Sequence, residues 1–480
     1  MHECLKFYIN GAWIDPIERN QMDVINPANE EPAGRISLGS PADVDLAVAA
    51  ARAAFPAFSQ ANRQERVGLL ERILAAYEDR ASDLVAAVSE EMGAPLALAQ
   101  KAQVPIGAGH LRVSISALKD YVFEAALNGT VVVKEPIGVC GFITPWNWPL
   151  SQILCKVAPA LAMGCPVVLK PSELAPFSAV IFAEIMDAAG TPPGVFNLIN
   201  GEGPVVGAAI AAHKGIDLVS FTGSTPAGIE VARAAAPTVK RVLQELGGKS
   251  PNIILDDADL EAAVTAGVAL MMRNSGQSCN APSRMLVPRP LLDDAIKIAS
   301  NAAQSITVGD PRTNVQVGPV VSLAQWTKIQ DLIGKGIAEG ATLVAGGLGR
   351  PVGLNQGYYV KPTVFAHVSN DMTIARSEIF GPVLSILSYE TEEEAIAIGN
   401  DTDYGLAAYI QSGNISRARR VAAQLRAGQI LINEATLDLN APFGGYKQSG
   451  NGRERGVHAF NDYLELKAII GFHPAEQRKA

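Results

Sequence analysis

The chain has 480 residues, of which 48% are hydrophobic and 18% charged, so it is too long for one ordinary core and suggests two large domains with a small appendage. A formal charge of -9 without long Lys/Arg runs argues against nucleic acid as the main partner. The start Met1-His2-Glu3-Cys4-Leu5-Lys6-Phe7-Tyr8 has no secretory pattern, no apolar run is long enough to span a bilayer, and five cysteines without a CxxC pair fit a reducing compartment, so a cytoplasmic protein with no membrane partner is expected.

In chain order, Ser40-Pro41-Ala42-Asp43 reads as an N-cap with proline in the first turn, opening an alanine-rich helix through Val44, Ala47, Val48 and Ala51. A second amphipathic helical stretch runs from Arg63 to about Glu90, with Val67, Leu70, Ile73, Leu74 and Tyr77 on one face. The segment Lys119–Glu135, containing Thr130-Val131-Val132-Val133, has hairpin character. From Gly138, apolar runs at Gly138–Thr144, Pro166–Lys170, Val195–Ile199, Leu218–Thr222 and Asn252–Leu255 predict buried strands, separated by helices at Leu150–Met163, Phe177–Ala189, Pro204–Ala212 and Pro226–Ala236. That βαβ alternation predicts a parallel sheet covered on both faces, with a nucleotide at its carboxyl edge. A second α/β set follows, with strands near Met285–Val287, Val383–Tyr389 and Gln429–Ile432 and helices near Leu291–Ser305, Leu323–Glu339, Glu392–Asn400 and Ser416–Leu425. The six histidines have no ligand-like spacing, so no metal is expected.

The run Asn274-Ser275-Gly276-Gln277-Ser278-Cys279-Asn280-Ala281-Pro282 sets a cysteine among small and polar residues, where a thiol is exposed enough to react. An isolated free cysteine is more often a buried packing residue, and it is the company of other motifs that points to chemistry. Gly201-Glu202-Gly203-Pro204-Val205-Val206-Gly207 is a near miss to a dinucleotide fingerprint, lacking glycine at Val206, and reads better as a tight strand-to-helix turn. Phe221-Thr222-Gly223-Ser224-Thr225-Pro226 is a stronger site, because a strand ends at glycine and a Ser-capped helix opens with free amides suited to a pyrophosphate.

Together these runs resemble the aldehyde dehydrogenase superfamily. The resemblance is carried by the cysteine run, Glu245-Leu246-Gly247-Gly248, Glu378-Ile379-Phe380-Gly381-Pro382, Pro145-Trp146-Asn147-Trp148-Pro149, Lys170-Pro171-Ser172-Glu173, Phe221-Thr222-Gly223-Ser224 and Pro442-Phe443-Gly444-Gly445, in family order over nearly the whole chain. It implies an α/β fold with a Rossmann-like parallel-sheet cofactor domain (1–118 and 136–247), an α/β catalytic domain (248–447) and a small β oligomerisation domain (119–135 and 448–480), whose late strand is expected near Asp462–Ile470 in a homodimer or homotetramer.

The same resemblance implies Cys279 as nucleophile, Glu245 as base, the Asn147 amide and the Cys279 N–H as oxyanion donors, and Lys156 near the cofactor in proton transfer. The implied cofactor is NAD, held by Thr144, Trp146, Lys170, Ser172, Glu173, Gly203, Phe221, Gly223, Ser224, Gly247, Glu378 and Phe380. Taken alone, Lys170 and Glu173 read more readily as an ordinary solvated loop pair. At the carboxyl end of a strand they can bind the adenosine ribose hydroxyls, and the carboxylate repels a 2′-phosphate.

Trp148, Gln152 and Cys155 recur at helical spacing and either pack beneath the turn or line a substrate channel with Ser278 and Asn280. In Glu434–Ala441, Leu437 and Leu439 stand with Glu434 and Asp438 but no arginine or lysine, which points to an apolar or aromatic aldehyde, a cationic aldehyde being the alternative. Two rivals stay open: transfer of the acyl group to coenzyme A, disfavoured by the presence of Glu245, and a non-catalytic NAD-binding protein on the same fold.

Overall fold

The alternating apolar runs and helices form four sheets in a computed structural model that describes residues 2–433 and 435–471. The first large sheet has eight strands in the order Gly450–Asn451, Arg241–Glu245, Leu218–Thr222, Cys140–Ile143, Val167–Lys170, Phe196–Leu198, Phe7–Ile9 and Ala12–Ile14. Its five central strands are parallel and almost fully buried, as crossover helices on both faces require. The second, of seven strands, runs Thr342–Ala345, Thr363–Ala366, Val383–Tyr389, Arg284–Pro288, Pro251–Ile254, Ala407–Gln411 and Gln429–Ile432, parallel except at the first pair. The expected α/β architecture with two parallel-sheet units is therefore present.

The small sheet joins the hairpin Glu124–Leu127/Thr130–Pro136 to the strand Leu464–Ile470, antiparallel throughout. Residues 472–480, the rest of the expected oligomerisation segment, lie outside the described residues. A further three-stranded sheet, His2–Cys4, Glu31–Leu38 and Asn20–Asn26, was not expected from sequence. Its strands mix polar and apolar residues without clean alternation.

Ser40 does open a helix, Pro41–Phe58, through a capping box with Asp43. The expected single helix from Arg63 to Glu90 is corrected to two, Arg63–Asp79 and Ala81–Met92. Arg80 leaves helical geometry between them, which lets the faces of Leu70 and Ile73 and of Leu84 and Val88 reorient into one core. The helix Val104–Asp120 also escaped the sequence reading, because Pro105, Gly107 and Gly109 lower its propensity. It packs along Pro149–Met163, every residue of which is buried. Leu260–Met272, which leads into the cysteine run, was missed as well.

Candidate active site

The order of the first sheet changes direction beside Cys140–Ile143. The chain passes from it to Val167–Lys170 on one side, whereas Leu218–Thr222 flanks it on the other and leads to Arg241–Glu245. Loops leaving the two neighbours diverge and open a crevice at the carboxyl edge, the usual ligand position in such sheets. Asn147 lies on the first loop and Gly223-Ser224 on the second. The Gly223 N–H donates to the Glu245 carbonyl at 3.0 Å, tying the second loop to the adjacent strand end. Ser224 caps the helix Thr225–Ala235, its hydroxyl accepting from Ala227 N–H, so a helix N-terminus faces the crevice.

The cysteine run reaches the crevice through an unusual backbone. Asn274, Ser275 and Gly276 have φ of 55°, 56° and 70°, three successive left-handed residues. Non-glycine residues there are strained, and surrounding contacts must hold them. Asn274 Nδ2 donates to the Asn147 carbonyl at 2.9 Å, and Gln103 Nε2 donates to that carbonyl and to Asn274 Oδ1, each at 3.1 Å. Asn147 Nδ2 donates to the Gln277 carbonyl at 3.0 Å, which uses one of its two amide hydrogens. Gln103 and Asn274 had no signal in the sequence, since the partners that orient them come from distant segments.

The glycines of Glu245-Leu246-Gly247-Gly248 explain how the base reaches the nucleophile. A Cβ on Gly248 would lie 2.3 Å from the Cys279 carbonyl oxygen, and one on Gly247 would lie 2.6 Å from a Glu378 carboxylate oxygen. Only bare backbone lets the three segments converge. Gly248 N–H donates to Glu378 Oε1 at 2.9 Å, and Gln325 holds the Ile379 and Phe380 carbonyls at 3.2 and 2.8 Å. Phe380 itself has φ of 57° and meets Trp146 edge to face at 5.4 Å.

Glu245 ends a strand and is buried, which excludes the helix-start and surface readings of this carboxylate. Neither of its carboxylate oxygens has a hydrogen-bond partner among the described residues. Burial, and next the Glu454 carboxylate, hold its pKa well above the usual range. Burial likewise pushes the Cys279 thiol up to about 12, with Glu378 and Glu245 adding to the effect and Arg455 opposing it.

Lys156 is fully buried; its Nζ donates to Thr222 Oγ1 at 2.7 Å and pairs with Glu454. Burial works against its charge, but Glu454 and Cys155 outweigh it and the net shift is upward. Glu454, within Gly452-Arg453-Glu454-Arg455-Gly456, was missed in the sequence, where a carboxylate between two arginines reads as an exposed loop charge. It also takes Cys155, whose Sγ donates to Glu454 Oε2 at 3.1 Å. The expectation that Cys155 lines a channel is therefore corrected: its side chain is buried against Glu454, whereas Trp148 and Gln152 do reach a cavity wall.

Two cavities meet at Cys279. One, of about 180 Å³, is lined by Pro145, Trp146, Asn147, Thr222, Gly223, Ser224, Glu245, Gly247, Glu378 and Phe380, so Trp146, Gly223, Ser224, Gly247, Glu378 and Phe380 of the expected cofactor residues share one space, whereas Thr144, Lys170, Ser172, Glu173, Gly203 and Phe221 do not line it. Farther along the sheet edge, Lys170 Nζ donates to Glu173 at 2.8 Å. Burial opposes the Glu173 carboxylate, but Lys170 more than offsets it and its pKa falls. Gly203 N–H also supports that carboxylate, which gives the glycine turn a partner in this corner. Thr144 is buried with its hydroxyl unpartnered among the described residues. Ser172 accepts from Leu174 N–H at 3.2 Å and shapes the turn, and Phe221 packs beneath Gly223.

The other cavity, about 520 Å³, includes Ile106, Trp148, Gln152, Leu270, Ser278, Asn280, Tyr409, Leu431, Ala435, Leu437 and Phe443. Ser278 Oγ accepts from Trp148 Nε1 at 2.9 Å, and the Asn280 carbonyl accepts from Tyr409. Leu437 lines this space as expected. Leu439 turns instead onto Gly109 of a helix, and Asp438 caps the turn at Asn440. Glu434 lies outside the described residues. Lys101, Arg273 and Arg455 reach the cavity from other walls, which the local sequence of Glu434–Ala441 could not reveal. Among the described residues, no three His, Cys, Asp or Glu side chains gather as a metal site, and no helix is long and apolar enough to cross a membrane.

A crevice at the carboxyl edge of a parallel sheet that joins a cysteine thiol and a buried carboxylate defines a class, and comparison with known proteins agrees. Residues 13–469 match the Aldehyde dehydrogenase family, to which this chain belongs. A 3-succinoylsemialdehyde-pyridine dehydrogenase of Pseudomonas is 57% identical over 98% of this chain and 99% of its own. An aldehyde dehydrogenase C variant of Pseudomonas syringae, solved with NAD+ and octanal, superposes with a TM-score of 0.97 at 53% identity, covering 98% of this chain and 97% of its own. An aldehyde dehydrogenase of Bartonella henselae gives 0.97 at 50% identity, over 98% of this chain and all of its own.

Proposed function

We propose that this protein oxidises an aldehyde to the carboxylic acid with NAD, through a covalent adduct on Cys279 that Glu245 helps to hydrolyse. The observation that carries the reading is the meeting of Cys279, Glu245, Asn147, Glu378 and Phe380 around one small cavity. The residues fit NAD: the Lys170–Glu173 pair supplies a donor and an acceptor for ribose hydroxyls, and the Gly223-Ser224 helix start suits the diphosphate. Thr144 keeps a free hydroxyl beside that edge, while Glu378 and Phe380 face the nucleophile.

Cys279 first gives up its proton through water to solvent, and its sulfur bonds to the aldehyde carbon. Charge then gathers on the former carbonyl oxygen. The second amide hydrogen of Asn147 and the Cys279 N–H stabilise that oxygen, each such donor being worth roughly 2.7–4 kcal/mol in the transition state. NAD held between the Gly223-Ser224 turn and Phe380 would supply the acceptor for the hydride of the tetrahedral carbon. The resulting thioester on Cys279 is attacked by water from which Glu245 takes a proton, releasing the acid and restoring the thiol.

Lys156, paired with Glu454 and Thr222, holds a proton path behind Glu245 and keeps the Thr222-Gly223 turn in place. The substrate class is apolar or aromatic, in keeping with the Trp148, Leu270, Leu431, Leu437 and Phe443 walls and with relatives named for a pyridine-bearing aldehyde or bound to octanal. The division into cofactor, catalytic and oligomerisation domains, the cytoplasmic location and the homo-oligomeric state are part of the same proposal.

The test is pre-steady-state NADH formation with rapid-quench mass spectrometry. Cys279→Ser should abolish both the first turnover and the steady state. Glu245→Gln should lower steady-state turnover by about 10²–10⁴-fold while an acyl adduct collects on Cys279. Normal activity in Cys279→Ser would refute the covalent route.

A further inference from the structure

Three cations line the larger cavity, and one of them is unlike the others. Lys101 and Arg273 are exposed, and Arg273 lies over Trp148 at 5.6 Å. Arg455 is only partly exposed, and its Nε and Nη1 are shut off from solvent without a hydrogen-bond partner among the described residues. Its guanidinium lies over Phe443, 4.3 Å from the ring centroid. The backbone beneath is strained: Arg455 has φ of 70°. It is held by reciprocal hydrogen bonds between Phe443 and Glu454 at 2.8 and 2.7 Å, and by Gly456, whose Cβ would lie 2.1 Å from the Asn440 carbonyl oxygen. Desolvated donors without acceptors and a left-handed arginine both cost stability. Their coincidence at a cavity wall marks a position preorganised for a ligand's oxygen.

We propose that Arg455 is a specificity residue that donates to a second carbonyl oxygen on the aldehyde, so that the enzyme takes oxo-aldehydes in preference to plain ones of equal length. The inference rests on the Cys279 reading and names the substrate feature it left open. Arg455 and Cys279 line the same cavity, so an oxygen bound to the guanidinium belongs to the molecule whose aldehyde carbon reaches the thiol. The carboxyl groups of Glu245 and Glu378 line the adjoining smaller cavity at Cys279, and Arg455 shares the larger one with the apolar side chains of Leu431, Leu437 and Phe443. A neutral carbonyl accepts the guanidinium N–H groups without adding another negative charge beside them.

Three probes of matched length test this in the full-length enzyme with saturating NAD: pentanal, 4-oxopentanal and succinic semialdehyde. Wild type should show kcat/KM for 4-oxopentanal about 10- to 100-fold above pentanal, mostly through KM. Arg455→Met should erase that ratio and Arg455→Lys keep part of it, each with a cooperative melt; if the methionine variant does not fold, the partial ratio in Arg455→Lys is decisive. Equal loss on all three substrates, with a shifted pH profile, would make Arg455 an electrostatic support for Cys279 and overturn the proposal. So would an absent ratio in wild type, an unchanged ratio in both variants, or a dominant preference for succinic semialdehyde that the methionine variant removes. A wild type that turns over none of the aldehydes would instead defeat the Cys279 reading beneath it.

Discussion

At the scale of single residues, burial opposes the ionisation of both Glu245 and Cys279. It raises Glu245 above the usual carboxylate range and takes the Cys279 thiol up to about 12, so the reactive thiolate grows as pH rises. The log of kcat/KM should therefore climb between about pH 6 and 9 with a slope near one, in the direction set by loss of a proton. Stopped-flow assays at saturating NAD would measure it, and a flat profile would contradict the assignment. Asn147→Ala should lower kcat by about 10²–10³-fold with little change in NAD binding, because its free amide hydrogen serves only the developing oxyanion. Glu173→Gln should narrow the preference for NAD over NADP by about tenfold, since the carboxylate that repels a 2′-phosphate is gone. Comparable efficiency with both cofactors in the wild type would refute that role.

At the scale of elements, catalysis depends on loops clamped between two sheets. The cysteine run is held against the Glu378-to-Pro382 loop at Gly276, where φ is 70° and a Cβ would lie 2.1 Å from the Gly381 carbonyl oxygen. Alanine there meets both an unfavourable dihedral and a backbone clash. Gly276→Ala should cost more than about 2 kcal/mol of stability and most of the activity together, measured by denaturant unfolding and NADH production. Full activity with an unchanged melt would show that the loop does not need this contact. Helix Pro149–Met163 plays the complementary part, carrying Gln152 to the cavity and Lys156 to the interior within four residues.

At the scale of the whole molecule, the small sheet has an edge that the described residues leave uncovered. The strand Leu464–Ile470 pairs on one side only, and Leu466 and Ile470 are 71% and 84% exposed, with Leu127 on the neighbouring hairpin at 61%. A long apolar edge is an aggregation hazard unless another chain covers it. In the proposed homo-oligomer a second copy does so. Replacing Leu466 and Ile470 by lysine should shift the molar mass in light scattering toward the monomer while far-ultraviolet dichroism stays unchanged. An unchanged mass would place the subunit interface elsewhere.

The sequence by itself determined the α/β class and the strands that carry the first sheet from Gly138 to Thr222, and through its resemblance to the aldehyde dehydrogenases it offered Cys279, Glu245 and Asn147 as candidate site residues on strand-end loops. Those features are local: apolar runs set buried strands, and glycine-bracketed polar residues set strand-end loops. What tertiary structure decided is non-local. Glu454 acquires meaning only beside Lys156 and Cys155, which lie some 300 positions away in the chain. Cys155 left the channel because that carboxylate drew its thiol inward. Gln103 and Asn274 became positioning groups because the Asn147 carbonyl meets both. The cations of the larger cavity come from segments around Lys101, Arg273 and Arg455, so no window of sequence could have shown them together. Local pattern chooses the elements and the reactive side chains, whereas burial and charge partners, set by packing between distant segments, choose which of them share a site.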